Sequence, residues 1–209
     1  MLIPRVACSW PVKYNGHQPW HFTGWEQFEA MDKFRNVLLA VWQEACRHIE
    51  IAEATRTIAA LLRACLPVER LIVRRFEPQH ESLDTVAAAY VGEGAPTELT
   101  LRTRCGAADM RRLLTWARSG RVLRERSGGD LAGHLALLVP EQLKGGLLVV
   151  AIAGLEQPAG VLIVAAAEGG VFQDDHVRMV GLLREPFAAA LENDRRLHEL
   201  ATLREVAEA

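Results

Sequence analysis

Cysteine, histidine and arginine are the side chains in this sequence that could carry chemistry, and their spacing excludes several familiar kinds. Cys8, Cys46, Cys65 and Cys105 are far apart and form no Cys-x-x-Cys pair, so neither a redox couple nor a zinc knuckle is encoded. In a reducing compartment they read as buried or idle thiols rather than disulfides. His80, His176 and His198 stand among polar residues and read as solvated. Gly92-x-Gly94 lacks the third glycine of a dinucleotide turn, and neither G-x-S-x-G nor G-x-x-x-x-G-K-[ST] occurs. These absences point to a chain that is not an enzyme. Arg74 and Arg75 are neighbours in an apolar run; on a strand they point to opposite faces, so at most one can reach a pocket.

The elements that would position such residues follow from hydrophobic spacing. Residues 1–22 form an irregular arm with prolines at 4, 11 and 19, and Trp10, Trp20 and Trp25 fall in the first 25 residues. Disordered tails are usually poor in aromatics, so the arm should pack on the body or on a partner. Thr23-Gly-Trp-Glu26 fits a capping box, and Met31, Phe34, Leu38, Val41, Ala45 and His48 follow at helical spacing. A second helix over about 53–66 carries Ile58, Leu61, Leu62 and Cys65 and is stopped by Pro67.

Strand-like runs come next at Arg70–Phe76 and Asp84–Val91, with a hairpin connection between them. Residues 92–107 look loop-rich. Ala107–Ser119 reads as a short helix with Gly120 just past its end. Arg121–Arg124, Leu135–Val139, Leu147–Ala153 and Val161–Ala167 read as further strands. The last two runs are apolar on both faces, so the sheet should be covered on both sides. Short connections imply antiparallel pairing and an α+β fold. Alanines at 87–89, 151, 153 and 165–167 suit close helix approach or a hollow beside the sheet.

Residues 172–209 read as one long amphipathic helix. Val177, Val180, Leu183, Phe187, Ala190 and Leu191 mark a buried face; beyond Asn193 the sequence is highly charged yet keeps Leu197, Leu200, Leu203 and Val206. Pro186 should bend this helix rather than end it, because the apolar phase continues across it. A helix that outruns its domain has little to bury its apolar side against except another helix, so a homodimer is expected.

Three motifs together resemble the GAF family of small-molecule sensory domains. They are Leu66-Pro67 leading into the strand Glu69–Phe76, then Gln157-Pro-Ala-Gly-Val-Leu-Ile-Val-Ala-Ala, then Phe172-x-x-x-His-x-x-x-Val with Phe187-Ala-Ala-Ala-Leu-Glu-Asn-Asp-Arg-Arg-Leu. The resemblance implies a six-stranded antiparallel sheet between helical layers, with long N- and C-terminal helices. It divides the chain into the arm (1–22), a GAF-like sensory domain (23–197) and a signalling-helix extension (198–209). Leu113–Leu123 and Leu203–Ala209 are further similar to the N-terminal regulatory domains of bacterial sigma-54-dependent transcriptional activators.

Members of the family bind ligands between the sheet and the excursion after its second strand. Arg74, Tyr90, Arg102, Arg104, Cys105, Trp116 and His134 are thereby implied as ligand-binding candidates. Arginines suit an anionic ligand through their planar fork, whereas Trp116 on an apolar helix face reads first as core. The cyclic-nucleotide, bilin and sulfoxide-reductase signatures of the family are missing. Asp109 is the one carboxylate near Cys105, so no metal and no cofactor are expected, only an unidentified small-molecule effector. Two alternatives are an enzyme of this fold acting on a small oxidised metabolite and a degenerate domain that only dimerises. With 24 basic and 26 acidic residues, no stretch argues for direct nucleic-acid binding. No run of transmembrane length occurs, so the expected location is the cytoplasm, away from membranes.

Overall fold

The computed structural model describes residues 24–47, 50–92, 100–126, 131, 133–140, 143 and 145–208. The arm, the Thr23 cap, the side chain of Met31, His48 and the Gly128-Gly129 loop lie outside the described residues. Helices α1 (Gly24–Arg47) and α2 (Ile51–Leu62) precede strands β1 (Arg70–Glu77), β2 (Ser82–Tyr90) and β3 (Arg102–Arg104). Helix α3 (Ala107–Arg118), β4 (Leu123–Glu125), a 3-10 helix (Gly133–Leu138), β5 (Leu147–Ile152) and β6 (Gly160–Ala165) follow. The chain closes with α4 (Asp174–Leu182) and α5 (Arg184–Glu208). The six strands form one sheet in the order β3-β2-β1-β6-β5-β4, and every pairing is antiparallel. The α+β expectation holds.

Strand alternation builds two cores. Leu71 and Val73 of β1 face a helical layer with Phe34, Val41, Ile58, Leu62, Val180, Phe187 and Leu191. Ile72 and Phe76, from the other side of the same strand, pack with Leu113, Leu138, Val149 and Ile163. β5 and β6 are buried at every position, as their unbroken apolar runs require; each Val, Leu or Ile among them adds about 1.5–3 kcal/mol. Ala87 and Ala89 are buried against the layer that holds α2, so these two alanines serve close helix approach, whereas Ala88 between them is exposed. Gly160 begins β6 opposite Arg75, where a Cβ would lie 2.1 Å from the Arg74 carbonyl oxygen; any side chain would push the strands apart.

Two expectations fail. Leu135–Val139 is not a strand: Gly133–Leu138 is a 3-10 helix. A short apolar run has no periodicity to separate strand from helix, and β4 already occupies the edge beside β5. Conversely, Arg102–Arg104, read as loop, is an edge strand that pairs with Ser82–Asp84. Three residues, two of them exposed arginines, carry almost no hydrophobic signal.

The expectation of one helix over 172–209 fails as well: the closing helix is divided into α4 and α5. Leu183 is a single turn residue between α4 and α5, and its N–H bonds the Val180 carbonyl. Pro186 lies in the first turn of α5, where its missing N–H leaves no helical bond unmade. No loop of several residues intervenes, and Val180, Leu183, Phe187, Ala190 and Leu191 stay on one buried face.

Candidate functional site

Of the candidates, Arg74 is the most deeply buried, with 0% of its surface exposed. Alternation along β1 sets it with Ile72 and Phe76 on the face opposite α2, between the sheet and the 3-10 helix. Its Nη1 donates to the carbonyls of Leu137 and Leu138, each at 3.0 Å. Its Nη2 donates to the Leu83 carbonyl at 2.9 Å and to Thr103 Oγ1 at 2.7 Å. Desolvation by burial lowers its pKa to about 10, opposed by Asp84 and Cys105, so it is charged at neutral pH. Nε has no partner. The guanidinium thus ties β1 to β2, β3 and the 3-10 helix from within the space where a ligand was expected. Arg75 points the other way, and its Nη2 donates at 2.7 Å to buried Asp194 of α5.

The other candidates separate into three places. Tyr90 lies opposite Arg70 on β1, whose guanidinium carbon stands 5.2 Å from the phenol ring centre, a cation–π contact. Arg102, Arg104 and Cys105 share a shallow hollow of about 450 Å³ with His80, Glu81 and Ser82. Arg102 is already held by both carboxylate oxygens of Asp84, and this pairing lowers the Asp84 pKa. Cys105 is buried, and its thiol donates to the Glu81 carbonyl at 3.4 Å. Desolvation, with Asp109 and Glu81 adding, pushes the thiol pKa up despite Arg74; it is held as a thiol, not as a nucleophile.

Trp116 and His134 come together in the third place, a hollow of about 690 Å³ on the outer side of α3. Ala108, Arg111, Arg112, Thr115 and Ser119 line it from one face of α3, and Arg121 joins past the turn. Spacings of three and four residues put these side chains on one helix face. Gly120, with φ +68, is the left-handed residue that ends α3.

Arg111, Arg112 and Arg121 were not among the residues singled out from the sequence. The signal was present but diluted by the near-zero charge of the whole chain. Residues 102–126 hold eight arginines against Asp109 and Glu125, a net of +6, while the rest of the chain nets −8. All eight arginines are exposed.

A larger groove of about 920 Å³ runs between the β5–β6 loop, the end of β1 and α5. Its charges are mixed with an acidic excess: Arg75 and Arg195 stand with Glu77, Glu156, Glu185, Glu192 and Glu199. Among the described residues no group of three or more His, Cys, Asp or Glu is placed to hold a metal. No helix among them is long and apolar enough to cross a membrane.

The fold defined by this sheet and its helical layers is that of GAF domains. The chain is similar to the GAF domain of a phosphoenolpyruvate-protein phosphotransferase from Coxiella burnetii, with a TM-score of 0.57 at 15% identity over 81% of this chain and 98% of that one. A phycocyanobilin-bound GAF domain of a cyanobacterial phytochrome gives 0.55 at 18% identity, covering 79% and 97%. A free methionine-R-sulfoxide reductase from Neisseria meningitidis, solved with its substrate, gives 0.56 at 16% identity, covering 78% and 91%. Neither a family model nor a curated protein matches the sequence.

Proposed function

We propose that this chain is a non-catalytic regulatory module that senses a small molecule, dimerises and passes its state on through α5, as the input part of a cytoplasmic transcriptional regulator of the sigma-54-dependent kind. The observation that carries this reading is the course of α5. Its first half is sealed to the core by Phe187, Ala190 and Leu191, whereas every described side chain past Leu197 is exposed. Leu200, Leu203 and Val206 are 64%, 66% and 71% exposed. They repeat every three residues along one side of a helix whose other sides carry ion pairs such as Arg195–Glu199 and Arg204–Glu208. Such pairs keep a projecting helix formed, and the apolar line is what a second copy would cover.

The cysteines support the non-catalytic part. Exposed Cys46 lies on α1, while Cys65 packs with the helical core and Cys105 with the opposite one. Nothing gathers these three described cysteines at one surface as thiol turnover needs. Arg74 favours one alternative in part, since it fills the sheet-side space and leaves less room there for a ligand.

Light scattering at tens of micromolar should return twice the chain mass of 23.1 kDa. Leu200→Ser with Leu203→Ser should shift the mass toward one chain while thermal unfolding stays within about 1 kcal/mol, as exposed positions do. A monomeric mass for the unaltered chain would defeat the dimer reading.

A further inference from the structure

We propose that the hollow on the outer side of α3 binds a small, doubly charged anion of the phosphate-monoester or dicarboxylate kind, gripped by Arg111, Arg112 and Arg121 with Trp116 and His134. This deepens the sensory reading by naming its ligand class, yet the site would stand even if the chain were monomeric.

Size, charge and donor supply agree. A hollow of about 690 Å³ is of the size that small-molecule ligands occupy. Its lining carries three arginines and a histidine and no carboxylate, within a segment of net +6 on a chain of net −2. The side chains of Arg111 and Arg121 have no acidic partner among the described residues. Arg112 has one, Asp109, at 3.4 Å with both side chains well exposed; such a surface pair is weak and readily exchanged for a better acceptor. A guanidinium presents two parallel N–H groups that match carboxylate or phosphate oxygens, and three of them can divide between the two charges of a dianion.

The second observation is Trp116. Its ring packs against the sheet-side core, while its indole Nε1 is shielded from water and has no acceptor. An indole N–H can only donate, and leaving it unpaired when buried costs about 1–3 kcal/mol. The nearby hydroxyl protons are already used: Thr115 Oγ1 donates to the Arg111 carbonyl at 2.8 Å and Ser119 Oγ to the Trp116 carbonyl at 2.6 Å. What the hollow has in surplus is donors, and what it lacks is an acceptor. The hollow around Arg104 is the weaker anion site, because Asp84 already holds Arg102 and Glu81 stands in its lining.

The test uses the full chain labelled with 15N at its indoles, titrated separately with glycerol 3-phosphate and with succinate at constant ionic strength. The Trp116 indole resonance is assigned by its loss in Trp116→Phe. A saturable downfield shift of that resonance by at least one of the two probes, with Kd of about 1 mM or tighter, is the expected result. Arg111→Ala with Arg121→Ala should weaken binding about tenfold or more. Arg111→Lys with Arg121→Lys, which keeps the charge but not the fork, should fall between. Arg178→Ala on α4 should leave Kd unchanged. The three arginine positions are exposed, and circular dichroism checks that each variant, Trp116→Phe included, is folded. A linear response to both probes, a response matched by chloride, or an unchanged Kd in the double alanine variant would overturn the site. Binding of heparin without saturable binding of either small anion would assign this face to an acidic macromolecule and overturn it equally.

Discussion

The two faces of the sheet are built on different chemistry. On the helical face, strand alternation sets Leu71, Val73, Val150, Leu162 and Val164 against α1, α2, α4 and α5. Its buried polar groups are mostly matched locally: Thr55 Oγ1 donates to the Ile51 carbonyl at 2.7 Å and Asp194 accepts from Arg75 Nη2, while Arg75 Nε has no partner. On the opposite face a buried arginine replaces an apolar residue at the centre, and atoms such as Arg74 Nε and Trp116 Nε1 are left without partners. The first face is a finished core, held by shape. The second is packed as well, by Leu113, Leu138, Val149 and Ile163, but adds directed polar bonds around one buried guanidinium.

Core truncation tests this contrast most severely. Phe187→Ala and Arg74→Ala should both destabilise by about 3–5 kcal/mol, the first by a cavity and the second by stranding buried acceptors. In a chain of this size that lowers Tm by on the order of 10 °C. Volume-restoring partners separate the two causes. Phe187→Leu should recover most of the loss, to within about 1–2 kcal/mol. Arg74→Met should stay at least about 2 kcal/mol below the unaltered protein, because methionine donates to none of the acceptors at Leu83, Thr103, Leu137 and Leu138. Urea unfolding measures all four; an Arg74→Met variant as stable as the parent would erase the distinction between the faces.

A smaller effect is expected where the finished face uses polarity. Asp194, 7% exposed at its side chain, pairs with Arg75 at 2.7 Å, and its Oδ1 accepts from the Ile51 N–H at 3.4 Å. Asp194→Ala should destabilise by about 2 kcal/mol, the scale of a charged hydrogen bond. Arg75→Ala in the Asp194→Ala background should then add little, and a full additive loss in the double-mutant cycle would show that the pair is not coupled.

The smallest effect is one of pH. The Gln173 N–H donates to His176 Nδ1 at 3.1 Å, closing the capping box of α4. Burial lowers the His176 pKa below its ordinary 6.5, against the pull of Asp175. The folded state therefore gives up this proton more readily than the unfolded one. The contribution is complete above the unfolded pKa and is lost as pH falls through it toward the folded value. Between pH 7.5 and 5.5 the loss should be below about 1 kcal/mol, and His176→Gln, which keeps a capping side chain, should flatten it. An NMR titration placing His176 above 6.5 would reverse the sign.

Legibility in the sequence followed the same division. Apolar periodicity marked α1, α2, α3, β1, β2, β5 and β6, because burial on one or both faces writes a period into the residues. The polar bonds on the face opposite α2 left no such trace. Arg74 looked like a ligand donor because sequence cannot reveal that the carbonyls of Leu137 and Leu138 turn to meet it. The 3-10 segment that brings them was misread as a strand, and β3, which supplies Thr103, as a loop. Arg111, Arg112 and Arg121 were plainly written, but only the helix phase of α3 and the turn at Gly120 put them around one hollow with Trp116.

Asp194 also has a mechanical meaning. It is the last buried residue of α5, and residues 195–208 extend past it for about 21 Å at 1.5 Å per residue. Behind it, Leu183 interrupts the helix, its N–H bonded to Val180 of α4 and its carbonyl accepting from the Phe187 N–H of α5. The helix is thus a lever with its fulcrum at the Arg75–Asp194 pair and a short arm seated on the sheet. A tilt of about 10° at the fulcrum carries the far tip by about 4 Å, close to the spacing between neighbouring strands, so a displacement too slight to disturb the core becomes a shift that an adjoining helix would register.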